Sequence, residues 1–330
     1  MQWWEGKPEE VLARLQGAVE RQLQQALDAL RYETVLKQTV AYVVRLPGKR
    51  IRPLLCLLSS ALEGAEPWEA LPAAAAVEML HSFTLVHDDI MDRSPLRRGQ
   101  PTVHVRWNDA VAILTGDVLV GLVYRFLEHY GDRPDYAELL HILTDALLEV
   151  SEGQALDLEL PNLQQASLAQ YWQMIDGKTV ALLRMALQVG AVVGKLRPSV
   201  RRIVTDLAVP LGRAFQVQDD LLDLVGVPEE TGKQSGQDLR EGKLTYAVFR
   251  ALELEPTHEL LQRYRRQRSA SHAEVEQLLG LFRDLGILQE MEQQVERLYR
   301  EAFELVEQLP AVPARELLRV VLQQLRLRRR

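Results

Sequence analysis

The chain is 330 residues long, 47% hydrophobic and 26% charged, enough to bury a large core; a disordered chain, a collagen and a disulfide scaffold are excluded. Its 39 Lys and Arg against 46 Asp and Glu give a formal charge of -7, so nothing in the overall balance draws it to nucleic acid or to an anionic membrane. Cys56 is the single cysteine and cannot pair within the chain, which points to a reduced, cytoplasmic setting.

The opening MQWWEGKPEEVLARLQ lacks the pattern of a signal peptide, and no continuous apolar run reaches the roughly 18 to 20 residues needed to span a bilayer, so no stable membrane insertion is expected. Val11, Leu12, Leu15, Val19, Leu23, Ala26, Leu27 and Leu30 recur at helical spacing. Strand-like runs such as Thr39 to Val44 are short, and breakers at Pro47-Gly48, Gly64 to Pro67, Ser94 to Pro101, Gly131 to Pro134, Pro161-Asn162, Gly194 to Pro198, Gly226 to Ser235, Glu255-Pro256 and Pro310 to Pro313 separate helical segments. The pattern predicts an all-α protein, a single helical bundle over 1–330 with its motifs within about 40–250 and a helical part over 251–330. Pro72 is expected near a helix start and Pro210 at a kink. The arginines 326 and 328–330 read as ordinary helix-end cations.

Two clusters share one pattern, carboxylates at i, i+1 and i+4: Asp88, Asp89 and Asp92 in DDIMD, and Asp219, Asp220 and Asp223 in DDLLD. Six of the seventeen aspartates fall in these ten positions, and apolar residues such as Phe83, Leu85, Val86, Phe215 and Leu222 surround them, so they are no ordinary solvated acidic face. Within each cluster the first and last aspartates share a helix face one turn apart and repel unless a cation sits between them. An all-oxygen set without His or Cys suits a hard cation, and Mg²⁺ prefers one or two carboxylates with waters and substrate phosphates.

Cations accompany both clusters. GKRIRP (48 to 53) sets Lys49, Arg50 and Arg52 beside a turn; Arg93, Arg97 and Arg98 follow the first cluster, and Lys233 and Lys243 the second. Together these describe a site for a substrate with a diphosphate head. His81 lies two helical turns before Asp88, as either a phosphate donor or a satisfied core histidine. Lys178 and Thr179 at a helix start, and Gln216 one turn before Asp220, add polar groups to apolar helices.

GKRIRP, HSFTLVHDDIMDRSPLRRGQPTVH (81 to 104), LTGD (114 to 117), GQALDL (153 to 158), GKT (177 to 179) and FQVQDDLLDLVG with GKQSGQDLREGKLT (215 to 245) resemble, in order, the trans-isoprenyl diphosphate synthase (polyprenyl synthetase) family. The resemblance implies the isoprenoid synthase fold, a bundle around a deep central cavity, usually as a homodimer. It implies head-to-tail condensation of isopentenyl diphosphate with an allylic diphosphate. Asp88 and Asp92 would hold two Mg²⁺ ions and Asp219 a third, with Asp89, Asp220 and Asp223 completing the shell through waters. Arg97, Lys178 and Lys233, assisted by Lys243, would bind the allylic diphosphate; Gly48, Lys49, Arg52, His81 and Arg98 would bind isopentenyl diphosphate. Thr179 and Gln216, with backbone near Lys178, would steady the allylic carbocation.

Phe83, five residues before the first cluster, is the family's position for an aromatic floor, about 7.5 Å down the helix from Asp88 by the helical rise. HSFTLVHDDIMD, without a two-residue insertion, looks most like short-chain geranylgeranyl synthases of the archaeal type, so a C20 product is expected, with C15 as the close alternative and longer chains behind it. A terpene cyclase would have a different second metal motif, and a catalytically silent partner subunit would have lost aspartates or basic residues.

Overall fold

Helical periodicity becomes helix almost throughout residues 2–160, 167–226 and 236–328, which the computed structural model describes. Among these the only strand pairing is a hairpin of β1 (Leu96–Arg97) with β2 (Gln100–Pro101). The all-α expectation holds. Even the strand-like run Thr39 to Val44 lies in helix α2 (Val35–Arg45), where Thr39, Val40, Val43 and Val44 form one buried face. Burial at i, i+3 and i+4 outweighs the modest helix penalty of β-branched residues.

Two units divide the chain: residues 1–147, 182–205 and 307–320, and residues 148–181, 206–306 and 321–330. In the first, α1 (Pro8–Gln24) starts on a proline with Glu9 and Glu10 in its first turn, as the helix dipole favours, and buries Val11, Leu12, Leu15, Val19 and Leu23. Helix α3 (Ile51–Ser60) buries Leu54, Leu55, Leu57 and Leu58 completely, at roughly 1.5–3 kcal/mol for each such side chain. Helix α4 (Leu71–Met91) has Pro72 in its first turn, as expected. Its Ala73 to Val77 stretch is fully buried, and it packs along helix α6 (Asp109–Leu127).

Small residues let these helices meet. A β-carbon on Gly116 of α6 would overlap the His87 ring of α4, and His87 Nε2 lies 3.1 Å from the Ile113 carbonyl. Gly190 in helix α9 (Ala181–Val193) presses on the Cys56 carbonyl of α3, beside Ser59 Oγ donating to the Leu187 carbonyl at 2.8 Å.

The second unit contains helix α8 (Leu168–Ile175) and the later part of helix α10 (Pro198–Val225), which carries Pro210 within it. Helices Tyr246–Leu254 and Ile287–Glu307 also belong here, apart from the last residue. The rings of Tyr171 and Tyr246 meet edge to face at 5.6 Å.

The helical stretch Asp109–Tyr130, 22 residues with a mean hydropathy of 1.8 in its most apolar window, is long and apolar enough to cross a membrane by length and composition, with 39% of that window buried. Thr115, Gly116 and Asp117 break the continuous apolar run in the sequence without lowering the helix average below that of a span.

Candidate active site

Both acidic clusters sit in the last turns of their helices. Asp88 and Asp89 close α4 with Asp92 as its C-cap, and Asp219, Asp220 and Asp223 close α10. Carboxylates at a helix C-terminus add to the negative end of the dipole, so these helix ends run against the usual electrostatic preference and favour a nearby cation.

In the first unit that cation is Arg97. Its Nε and Nη2 both reach Asp89 Oδ1, at 2.9 and 2.5 Å, and Nη2 is 3.9 Å from Asp88 Oδ2. Burial pushes the Asp89 carboxyl up, against the pull of Arg97. The arginine is delivered by the β1–β2 hairpin, whose turn residues Arg98 and Gly99 have φ of 54° and 74°, the sign a two-residue hairpin turn demands. Arg98 in turn lies against Gly48, where any β-carbon would strike the guanidinium.

GKRIRP divides its labour. Arg50 is buried and saturated: Nε to Glu20 at 2.6 Å, Nη1 to Glu78 at 2.7 Å, and Nη2 to the Val44 and Leu46 carbonyls. It is a structural clamp. Arg52, two residues on, has Nη1 3.1 Å from His81 Nε2. A guanidinium only donates, so Nε2 accepts and the His81 proton belongs on Nδ1. Both Nδ1 of His81 and Nε of Arg52 are buried without a hydrogen-bond partner. Burial, and then Arg52, Arg98, Arg97 and Arg50, hold the His81 imidazole well below its usual range. Burial lowers Arg52 to about 10, with Arg98 adding to the effect, and Arg98 is lowered as well. Lys49 is exposed. Beside these residues a pocket is lined by Ser82, Leu85, Asp89, Arg97, Arg98 and Thr102.

In the second unit Lys178 and Thr179 are not at a helix start, as the sequence suggests. They lie in a π-helical turn, Asp176–Val180, between α8 and α9. The turn presses on helix α7 (Tyr136–Glu159), where a β-carbon on Gly153 would lie 2.6 Å from the Lys178 nitrogen. This close approach accounts for the glycines of both GQALDL and GKT. Lys178 Nζ binds Asp157 at 2.7 Å, and Arg213 clamps Asp176 at 2.8 and 2.5 Å.

Thr179 Oγ1 donates to Gln216 Oε1 at 3.1 Å, and Gln216 Nε2 to Asp220 Oδ1 at 3.0 Å. Asp220 Oδ2 accepts from the Tyr171 hydroxyl at 3.0 Å and the Tyr246 amide at 2.8 Å. Burial raises Asp220 to about 7 despite these donors. Asp219 is exposed and meets Arg328 at 2.9 Å; Asp223 Oδ2 accepts from the Asp238 amide at 3.1 Å. Lys243 pairs with Glu241 and Asp238 at 3.0 and 3.1 Å. Lys233 lies outside the described residues.

Among the described residues no three His, Cys, Asp or Glu side chains converge as a metal cage. The donor set still suits Mg²⁺, which takes one or two carboxylates and fills its shell with water and phosphate oxygens. Asp89 and Asp220 already spend oxygens on protein donors. Phe83, the expected floor, meets the His87 ring edge to face at 4.8 Å. Tyr171 and Tyr246 lie outside every sequence motif of the site and carry no local signal, while Asp157 lies within GQALDL.

The sequence pattern of the polyprenyl synthetase family matches residues 33–282. The chain belongs to this family. It is 37% identical to a short chain isoprenyl diphosphate synthase of Methanothermobacter thermautotrophicus over 74% of this chain and 75% of that one. It is 36% identical to a geranylgeranyl diphosphate synthase of Methanosarcina mazei, over 71% and 72%. A geranylfarnesyl diphosphate synthase of Aeropyrum pernix is 33% identical over 85% and 90%. Its fold is that of the geranylgeranyl pyrophosphate synthetase from Pyrococcus horikoshii Ot3, with a TM-score of 0.89, 30% identity and coverage of 97% and 99%. As a polyprenyl synthetase the protein has the all-α isoprenoid synthase fold and is a trans-prenyl diphosphate synthase, a transferase of prenyl groups.

Proposed function

We propose that the protein condenses isopentenyl diphosphate head to tail with an allylic diphosphate and makes geranylgeranyl diphosphate, C20, as its main product. The observation that carries this reading is the pair of buried, unpartnered donors, Arg52 Nε and His81 Nδ1, within a cluster of cations that depress one another. Such a cluster offers more donors than the chain supplies acceptors, which suits a polyanion.

In the first unit Gly48, Lys49, Arg52, His81 and Arg98 hold the diphosphate of isopentenyl diphosphate. A neutral His81 donates a hydrogen bond from Nδ1–H to a phosphate oxygen. Arg97 serves the allylic diphosphate, kept in place by Asp89, while Asp88 and Asp92 offer carboxylate oxygens to Mg²⁺. In the second unit Lys178, Lys233 and Lys243 serve the allylic diphosphate, and Asp219 offers oxygens to a further ion, two or three per site in all. Mg²⁺, when bound, supplies positive charge that offsets the charge building on the departing diphosphate.

The allylic C–O bond breaks with its electron pair on the leaving diphosphate, the isopentenyl π electrons form the new C–C bond, and the proton released goes to that diphosphate. Arg97 and Lys178 meet the growing negative charge with fixed donors. Asp220 orients the Gln216 amide, and Gln216 Oε1 accepts a hydrogen bond from the Thr179 hydroxyl, so the Thr179 oxygen presents its lone pairs to a cation. Asp220 and Asp89 are thus positioning residues in this reading.

Phe83 as a floor supports C20, and relatives named for geranylgeranyl and geranylfarnesyl products mark the range. The enzyme works as a cytoplasmic homodimer; exposed Ile113, Leu114 and Tyr124 on α6 and the single buried Cys56 support this. The test is incubation with Mg²⁺, isopentenyl diphosphate and the C5, C10 or C15 allylic diphosphate. A C20 product is expected, a different length would discard only the length assignment, and no condensation with any primer would overturn the reading.

A further inference from the structure

Residues 326–328 come back onto the acidic end of α10. Arg328 Nη2 donates to Asp219 Oδ1 at 2.9 Å and to the Phe215 carbonyl at 3.1 Å, and its guanidinium carbon lies 3.9 Å from the centre of the Phe215 ring. The Arg328 side chain is only 8% exposed, against 57% for Asp219. Its Nε is buried and finds no hydrogen-bond partner. A second anchor lies one turn along: Gln218 Nε2 donates to the Arg326 carbonyl at 2.9 Å, and Gln218 Oε1 accepts from the Tyr299 hydroxyl at 2.8 Å. Arg326 itself pairs with Glu296 at 2.7 Å.

An arginine placed by a helix dipole alone keeps its guanidinium in water. This one is withdrawn onto an aromatic face, where a cation gains from the ring as well as from the carboxylate. Phe215 and Gln218 are residues of FQVQDDLLD to which the proposed reaction gives no task, and together they form the seat for residues 326–328.

We propose that Arg328 is the positioning residue of Asp219: its guanidinium is the resting counter-charge of that carboxylate, and a divalent cation taking the same oxygens releases residues 326–328. The inference rests on Asp219 being a metal carboxylate. Competition for one carboxylate makes metal loading and segment release a single linked equilibrium, in which each weakens the other by the same factor.

Hydrogen exchange of the full chain tests this, with Mg²⁺ and inorganic pyrophosphate as probes and calorimetry to register their binding. Exchange over residues 320–328 is expected to quicken about tenfold when both are added to the wild-type protein, because a released segment loses its protection. Arg328→Gln is expected to exchange fast from the outset and to bind Mg²⁺ with pyrophosphate about three- to tenfold more tightly, the scale of a charge-assisted bond at a partly exposed site. Arg328→Lys keeps the charge without the planar fork and is expected between the two. Unchanged or slowed exchange in the wild type once binding is registered, or unaltered affinity in Arg328→Gln, would overturn the proposal. Absence of any binding heat in both proteins would instead overturn the diphosphate reading, and the inference with it.

Discussion

Gly153 and Lys178 meet backbone to backbone: a single added β-carbon on the glycine would come within 2.6 Å of the lysine nitrogen and 2.8 Å of the Gly177 carbonyl carbon. Helix α7 therefore fixes the height of the π turn that presents Lys178 and Thr179. Gly153→Ala has no flexible side chain to push aside, so it should cost about 1–3 kcal/mol of stability, the usual range for overpacking. If Lys178 and Thr179 act on the reacting centre as proposed, it should also lower kcat more than it raises KM. Urea unfolding and steady-state kinetics read both, and an unchanged kcat would show that the turn's position does not matter to the reaction.

His81 gives a pH dependence of defined sign. Its folded pKa lies below the ordinary 6.5, through burial and the neighbouring Arg52, Arg98, Arg97 and Arg50, so the unfolded chain binds the proton more readily. Stability from this group is full above about 6.5 and is lost as pH falls from there towards the depressed folded value. Unfolding midpoints should fall over that interval, and His81→Gln should flatten the slope. Pyrophosphate, by neutralising the arginines, should make the wild-type loss shallower. An identical slope in the variant would remove His81 as its source.

Tyr171 holds the residue that aims Gln216. Tyr171→Phe leaves Asp220 Oδ2 with the Tyr246 amide as its one remaining donor and should cost about 1.5–3 kcal/mol, as for a lost bond to a charged group. Single-turnover rates should drop while allylic substrate binding holds. A loss of binding with an intact chemical step would move Asp220 out of the positioning role.

Phe83, the proposed floor, meets a second ring, His87. Phe83→Ala should lengthen the product by at least one isoprene unit, since the ring is all that the substitution removes. His87→Ala should lengthen it as well, because His87 lies against Phe83 on one side and Gly116 on the other. Product chromatography decides: if Phe83→Ala leaves chain length unchanged the floor is elsewhere, and if only His87→Ala does so the ring needs no support.

Much of this was legible in the sequence because helical spacing and carboxylate spacing are local properties. The runs around Val11, the two aspartate triplets and the proline at 72 each announce themselves within a few residues. What stayed hidden depends on distant parts of the chain. Arg50 and Arg52 look alike in GKRIRP, and only Glu20 and Glu78 make the first structural while the second keeps an unpartnered donor. Asp220 likewise looks like its neighbour Asp219 until Tyr171 and Tyr246 arrive from other helices. The π turn at 176–180 has no signature in its own residues, and the close approach of Gly153 to it comes from another helix.

The hairpin that carries Arg97 is tied at both ends: the Ser94 amide donates to the Asp89 carbonyl at 3.0 Å, and Thr102 returns to the Pro95 and Ser94 carbonyls at 3.1 and 2.8 Å. The span from the acids to Arg97 and Arg98 is thus a ruler of set length. Surface loops generally accept added residues at small entropic cost, but an insertion here would shift the cations out of step with the carboxylates they serve. Length variation among descendants of this chain should therefore accumulate in other connections and leave residues 93–102 uninterrupted.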